Sequence, residues 1–152
     1  MENFQNQQSL VEMWLERLAE SGYRMTSPRR VIVETMAMTE RALSPLDIFD
    51  LARKDYPGLG LVTVYRTLER LEELQLVERV HQQGGCHMYL RACQGHQHLL
   101  LCTRCGRAEY FSGDNITPLM DRIALQSGYE IQNHWLQLFG LCAACQNHKD
   151  AN

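Results

Sequence analysis

Sulfur and imidazole carry most of the chemistry this sequence can do. Two Cys-x-x-Cys pairs, Cys102/Cys105 and Cys142/Cys145, stand in its C-terminal half. Each pair closes a tight turn that aims both sulfurs at one point, so the four thiolates together suit one tetrahedral structural zinc. Gly106 follows the first pair and Gly140 comes shortly before the second, where the chain is expected to bend sharply. A redox dithiol is disfavoured, because the strand-turn-helix entry of a thioredoxin-like site is missing. A zinc deaminase would need His-x-Glu and a proline before the cysteine pair, and neither is present. Further ligand types gather nearby: His81, Cys93, His96, His98, Glu109 and His134. On a β-strand His96 and His98 point to one face and can serve one ion. Thiolate with imidazole favours zinc over ferrous iron or manganese. A hydrolytic zinc would keep an open coordination position beside a general base, and His96/His98 have no obvious base partner, so no enzyme is expected.

A second set of residues suits duplex DNA. On a helix expected from Thr63 to Gln75, Val64, Leu68 and Leu71 form a core-facing stripe with Leu74 at its margin, while Thr63, Arg66 and Arg70 lie roughly opposite and Tyr65 sits near the N-terminal edge. A major-groove reading helix needs such an exposed N-terminal end. Arginine can bridge guanine O6 and N7, and threonine or tyrosine can touch a thymine methyl or a phosphate. Arg24, Thr26, Arg29 and Arg30 cluster at the start of another helix, where guanidinium and amide groups can hold the backbone. Glu69 and Glu73 on the reading helix would repel phosphate.

The elements that must position these groups are legible as α+β. Leu10, Val11, Trp14, Leu15 and Leu18 recur at helical spacing, and Gly22 ends that helix. Ser27-Pro28 and Ser44-Pro45 each predict a capping hydroxyl before a proline at the first helical position, the second with Asp47 completing a capping box. The apolar faces read as Val31, Ile32, Thr35 and Met36, then Leu46, Ile48, Phe49 and Leu51. After Pro57-Gly58 a fourth helix leads to two strands around Gln83-Gly84-Gly85, the layout of a winged helix. Cys86 and His87 at the hairpin tip read as facing solvent or DNA rather than as metal ligands. Beyond it, "QHLLLC" and "RAEYF" predict strands meeting at the first cysteine pair. Thr117-Pro118 opens a capped helix with Leu119, Ile123 and Leu125 inward, and "YEIQNHWLQLFGLC" alternates as one long strand.

Composition bounds the partners. At 152 residues with net charge −3, the chain has room for two small domains, each near the lower limit for its own core, so a metal staple and a dimer interface are physically useful. Residues 1–84 hold ten Arg/Lys and thirteen Asp/Glu, and residues 85–152 hold five of each, so DNA binding must come from a local patch. The N-terminus lacks the pattern of a secretion signal and no apolar run reaches membrane-spanning length, which predicts a cytoplasmic protein without a membrane partner. In a reducing compartment six cysteines point to metal rather than to disulfides.

The segments "RMTSPRRVIVETM", "GLVTVYRTLERLEELQLVERV", "GHQHLLLCTRCGRAEYF" and "GYEIQNHWLQLFGLCAAC", in this order and with the Gly-Gly hairpin between them, resemble the ferric uptake regulator superfamily over about residues 10–145. The resemblance implies a homodimeric, metal-responsive transcription factor, usually a repressor, that binds double-stranded operator DNA and has no small-molecule substrate. It implies a winged-helix DNA-binding domain over residues 1–84, wing end and hinge over 85–95, and an αβ dimerisation and metal-binding domain over 96–152. Tyr65 and Arg66 match the family's DNA-contacting pair, and the four cysteines match its structural zinc site. Leu90, Leu99 and Tyr110 occupy places where iron-responsive members are expected to have Glu, His and Glu. His96, His98 and His134 match ligands of the family's dimerisation-domain site, with Thr117 where a carboxylate is expected. His81 with Cys93 resembles the hinge ligands of zinc-responsive members, so a zinc-uptake-regulator type with a second, regulatory zinc is favoured. Iron-, manganese- and peroxide-responsive members are the alternatives; no aspartate lies in 81–110 to complete a peroxide-sensing site. A zinc-stapled protein-interaction module that never touches DNA is the competing class.

Overall fold

The computed structural model describes residues 2–81, 87–93, 95, 97–112 and 115–147, with backbone only for residues 2–6. The expected Gln83-Gly84-Gly85 turn, Cys86 and His96 lie outside the described residues. The chain divides into two compact units, Met1–Ala92 and Cys93–Asn152. That boundary falls within the stretch read as wing end and hinge.

The first unit is a winged helix: α1 (Glu2–Glu20), α2 (Ser27–Met38), α3 (Pro45–Ala52) and α4 (Leu61–Glu73) precede an antiparallel hairpin of β1 (Val77–His81) and β2 (His87–Arg91). Leu43 bridges Tyr89 through two backbone hydrogen bonds of 2.9 and 2.8 Å, which ties the chain before α3 to the wing as an isolated bridge. The core gathers Trp14 and Leu18 of α1, Ile32, Val33, Met36 and Ala37 of α2, Ile48 and Ala52 of α3, and Val64, Leu68 and Leu71 of α4. The α4 stripe read from the sequence is therefore the buried one. Thr67 joins it, its hydroxyl donating to the Thr63 carbonyl at 2.7 Å, so its polar atom is satisfied inside the core.

Helix ends follow local chemistry. At α3 the Ser44 hydroxyl accepts from the Asp47 amide at 3.1 Å while the Asp47 carboxylate accepts from the Ser44 amide at 3.0 Å, the expected capping box. At α2 the capping expectation is corrected: Thr26, not Ser27, occupies the cap, and no side chain bonds there. Gly22, at φ 75°, closes α1 with two bonds, its own amide to the Ala19 carbonyl and the Tyr23 amide to the Leu18 carbonyl. Gln75 closes α4 in the same way at φ 55°, although it is not glycine. Of the α3 face read as inward, Ile48 is buried and Phe49 packs against the core, but Leu46 and Leu51 are exposed; the helix is only eight residues long, and Pro45 and Ala52 complete its buried side.

The second unit is a three-stranded sheet in the order β4-β3-β5, made of β3 (His98–Cys102), β4 (Ala108–Phe111) and β5 (Gln137–Gly140), with α5 (Thr117–Ser127) and a short α6 (Ala143–Asn147). β3 runs antiparallel to β4 and parallel to β5. Two expectations are overturned. The long strand shrinks to four residues, since 128–136 form no strand. Helix α5 buries none of its residues and has no side-chain cap: Leu119 and Ile123 are about half exposed and Leu125 is 87% exposed. A unit this small has no further layer to cover that face.

Candidate metal centre and nucleic-acid interface

Parallel pairing of β3 with β5 sets Cys102 opposite Gly140, so both strands end at the same edge and release their cysteine turns side by side. Gly106, at φ 71°, donates to the Cys102 carbonyl at 3.0 Å and turns the first pair back on itself. Gly140 is not the bend expected of it; it lies within β5 and accepts from the Thr103 amide at 2.9 Å. The Arg104 guanidinium donates to the Cys145 carbonyl at 2.7 Å, tying the first turn to α6.

All four sulfurs lie within 4.8 Å of one another. Cys105 and Cys142 stand 3.7 Å apart, too far for a disulfide. Sulfurs bound tetrahedrally at about 2.3 Å from zinc are separated by roughly 3.8 Å, so the cluster has the dimensions of that ion. Burial alone would raise the Cys102 thiol, but the backbone amides of Cys142, Cys105 and Arg104 point at it and bring it down to about 6. The Cys142 amide reaches that sulfur at 3.3 Å. Burial first, then hydrogen bonds with the other three cysteines, push Cys145 up to about 12. Crowded thiols give up a first proton readily and resist losing the last; a divalent cation removes that resistance.

Of the other potential ligands, His98 is 2% exposed at the start of β3, with the His134 ring centre 5.3 Å away and Phe111 at 5.5 Å. His134 comes from the strandless stretch before β5. The Cys93 thiol donates to Gln97 Oε1 at 3.0 Å. Glu109 is paired with Arg107 at 2.8 Å and lines, with Leu100, Cys102 and Cys142, a cleft of about 320 Å³ beside the thiol cluster. His81 belongs to the first unit, where its nearest imidazole is that of His87, at 5.2 Å between ring centres.

In the first unit the starts of α2 and α4 converge. Arg24, Thr26, Arg29, Thr63 and Arg66 line one cleft of about 370 Å³ with Pro28 and Val62. Five of the eight residues read as DNA-contacting thus share one wall. Tyr65 is exposed on the same first turns of α4. Arg30 does not join them; it lines a separate cleft with α1 and pairs with Glu34 at 3.8 Å. Arg70 is turned inward, bonding Glu73 at 2.7 Å and the Ser21 carbonyl at 2.9 Å, so it braces α4 against the end of α1. Two residues that the sequence reading passed over complete the site. Tyr23 lies under the Arg29 guanidinium at 4.5 Å and meets the Thr67 hydroxyl at 3.4 Å, which fixes Arg29 relative to α4. Val62, 65% exposed at the lip, offers methyl groups of the kind that meet thymine. An aromatic next to Arg24 was the available signal for the first; the second had none, since a lone valine reads as core.

The sequence model of the Ferric uptake regulator family matches residues 20–139. A ferric uptake regulation protein of Neisseria meningitidis serogroup A is 30% identical over 147 residues, covering 96% of each chain. A solved zinc uptake regulator complexed with zinc and DNA is similar at TM-score 0.68 and 26% identity, over 94% of this chain and 97% of that one. A zinc-bound manganese uptake regulator is similar at TM-score 0.68 and 27% identity, over 85% of this chain and 98% of that one.

Proposed function

The chain belongs to the ferric uptake regulator family of metal-responsive transcription regulators, and on that premise we propose that it is a zinc-sensing repressor that grips operator DNA as a homodimer when a second zinc is bound. The observation that carries the DNA reading is the cleft in which three arginines meet two helix N-termini. Neither helix start is capped by a side chain, which leaves the positive end of each open to an anion, and the guanidinium groups add charge where the chain as a whole, at net −3, has none to spare. In this reading Arg24, Thr26 and Arg29 hold phosphate, and Thr63, Tyr65 and Arg66 reach base edges.

Cys102, Cys105, Cys142 and Cys145 hold the structural zinc, which staples β3 to β5. The sensed ion belongs to His98 and His134, with His96 and Cys93 as the further ligands supplied from just before β3. Imidazole with thiolate selects zinc on softness, which supports this reading over the iron response that the ferric relatives bring to mind. The homodimer is supported by large apolar side chains that the second unit leaves exposed: Leu119, Ile123 and Leu125 of α5, Tyr129 and Trp135, and Leu138 and Phe139 of the edge strand β5. Binding of zinc fixes the distance between two reading heads, so both operator half-sites are met at once. The test is DNA affinity against buffered free Zn²⁺, Fe²⁺ and Mn²⁺. A response to iron with none to zinc overturns the zinc assignment, and intact promoter binding after replacement of both Tyr65 and Arg66 overturns the reading head.

A further inference from the structure

The wing carries a pair of imidazoles outside the thiol cluster; one of them, His81, is the histidine that the resemblance pairs with Cys93, and the hairpin register gives it a second imidazole in its own unit. His81 ends β1 and His87 begins β2, and the antiparallel register sets the two directly opposite each other as the last pair of the ladder. Cross-strand partners share a face of the hairpin, with Cβ atoms about 4.5–5.5 Å apart. Both side chains are exposed, and their ring centres lie 5.2 Å apart at an interplanar angle of 60°.

That spacing suits one ion. With Zn–N bonds of about 2.0–2.1 Å directed away from each ring centre and a tetrahedral angle at the metal, two imidazole centres stand roughly 5 Å apart. Edge-on rings let one nitrogen of each converge without moving the backbone, because the ladder already fixes both strands. Neutral imidazole is a ligand for zinc, copper and nickel, and an exposed pair leaves the remaining coordination positions to water.

We propose that His81 and His87 form a surface site for a divalent transition ion on the wing, separate from the cysteine cluster and from the sensing ion. Two protein ligands make it weaker than either. An ion there ties the last cross-strand pair of the ladder and places positive charge on the element that, in a winged helix, lies beside the DNA backbone.

The experiment uses the full-length chain with its cysteine site loaded, titrated with Zn²⁺ while the imidazole resonances of all histidines are followed by NMR. His81 and His87 are expected to shift together in one step, later than His98 and His134, and both shifts are expected to vanish in H87Q while the His98 and His134 step stays. Loss of an outer-shell partner already weakens metal sites by about 10–100-fold, so loss of one of two direct ligands is expected to weaken this step at least about tenfold. Retained shifts of His98 and His134 in H87Q also report that the variant is folded. If His81 instead shifts in step with the second-unit ligands and does so unchanged in H87Q, it belongs to the sensing ion and the wing site is wrong. If neither ring shifts when Zn²⁺ exceeds the other sites' capacity, no wing site exists.

Discussion

Cys145 and Cys102 hold opposite extremes within one cluster, and the difference has a measurable sign. Cys102, lowered to about 6, is largely thiolate at neutral pH, whereas Cys145, raised to about 12, keeps its proton until a cation arrives. Zinc uptake by the metal-free chain at pH 7 is therefore expected to release protons, and apparent zinc affinity to fall as pH is lowered, because protons then compete for all four sulfurs. Calorimetric titrations in buffers of different ionisation enthalpy report the number released; a value of zero would contradict thiol ligation. Cys142→Ser is expected to reduce zinc retained after mild chelation from about one per chain to none, with loss of second-unit structure by circular dichroism. At the proposed DNA face, Arg66→Ala is expected to cost about 1–3 kcal/mol in binding to the preferred sequence and to relax base preference at one position. Tyr23→Leu should weaken binding with little relaxation of preference, since Tyr23 only holds Arg29 in place. Binding to a mutated-site panel separates the two.

Among the elements, helix caps give the sharpest contrast. Ser44→Ala breaks a reciprocal box and is expected to destabilise the first unit by about 1 kcal/mol, while Thr26→Ala, whose hydroxyl makes no cap bond, should cost less. Gln75 sits at φ 55°, where a Cβ is crowded, so Gln75→Gly is expected to be neutral to stabilising by up to about 1 kcal/mol. Urea unfolding of the three variants checks these orders; Thr26→Ala costing more than Ser44→Ala would contradict the assigned caps. What the sequence disclosed at this scale followed periodicity. The α4 stripe of Val64, Leu68 and Leu71 was readable because one face alternates with charge at helical spacing. The residues around β5 misled because apolar side chains alternate there as in a strand, yet only Gln137–Gly140 find a ladder partner, in β3. Leu119 and Ile123 keep helical spacing on α5 while Leu125, two residues on, falls on the other side, and periodicity does not say what covers either side. Arg70 was misplaced for a related reason: an exposed position on a helical wheel does not reveal that a neighbouring carbonyl, that of Ser21, captures the guanidinium.

For the whole molecule, the proposed function gives the exposed apolar residues of the second unit and the arginine cleft of the first complementary roles, pairing and reading. Leu125→Glu, at a residue 87% exposed and so harmless to either core, is expected to convert a dimer to monomer in sedimentation and to weaken operator binding along with it. A dimer that persists would move the interface elsewhere. The two Cys-x-x-Cys pairs were legible from spacing alone because four thiols can meet at one point only through such short turns, whereas the convergence of α2 and α4 on one cleft needed the fold, since Thr26 and Thr63 are 37 positions apart in the chain. The most direct measurement is the affinity of the purified protein for DNA fragments it selects from its own genome, taken across buffered free Zn²⁺ with the cysteine site filled throughout. Affinity is expected to rise steeply as the second zinc binds and to stay flat in a His98→Ala, His134→Ala variant. Affinity that ignores zinc in the unaltered protein, or tracks iron instead, would contradict it.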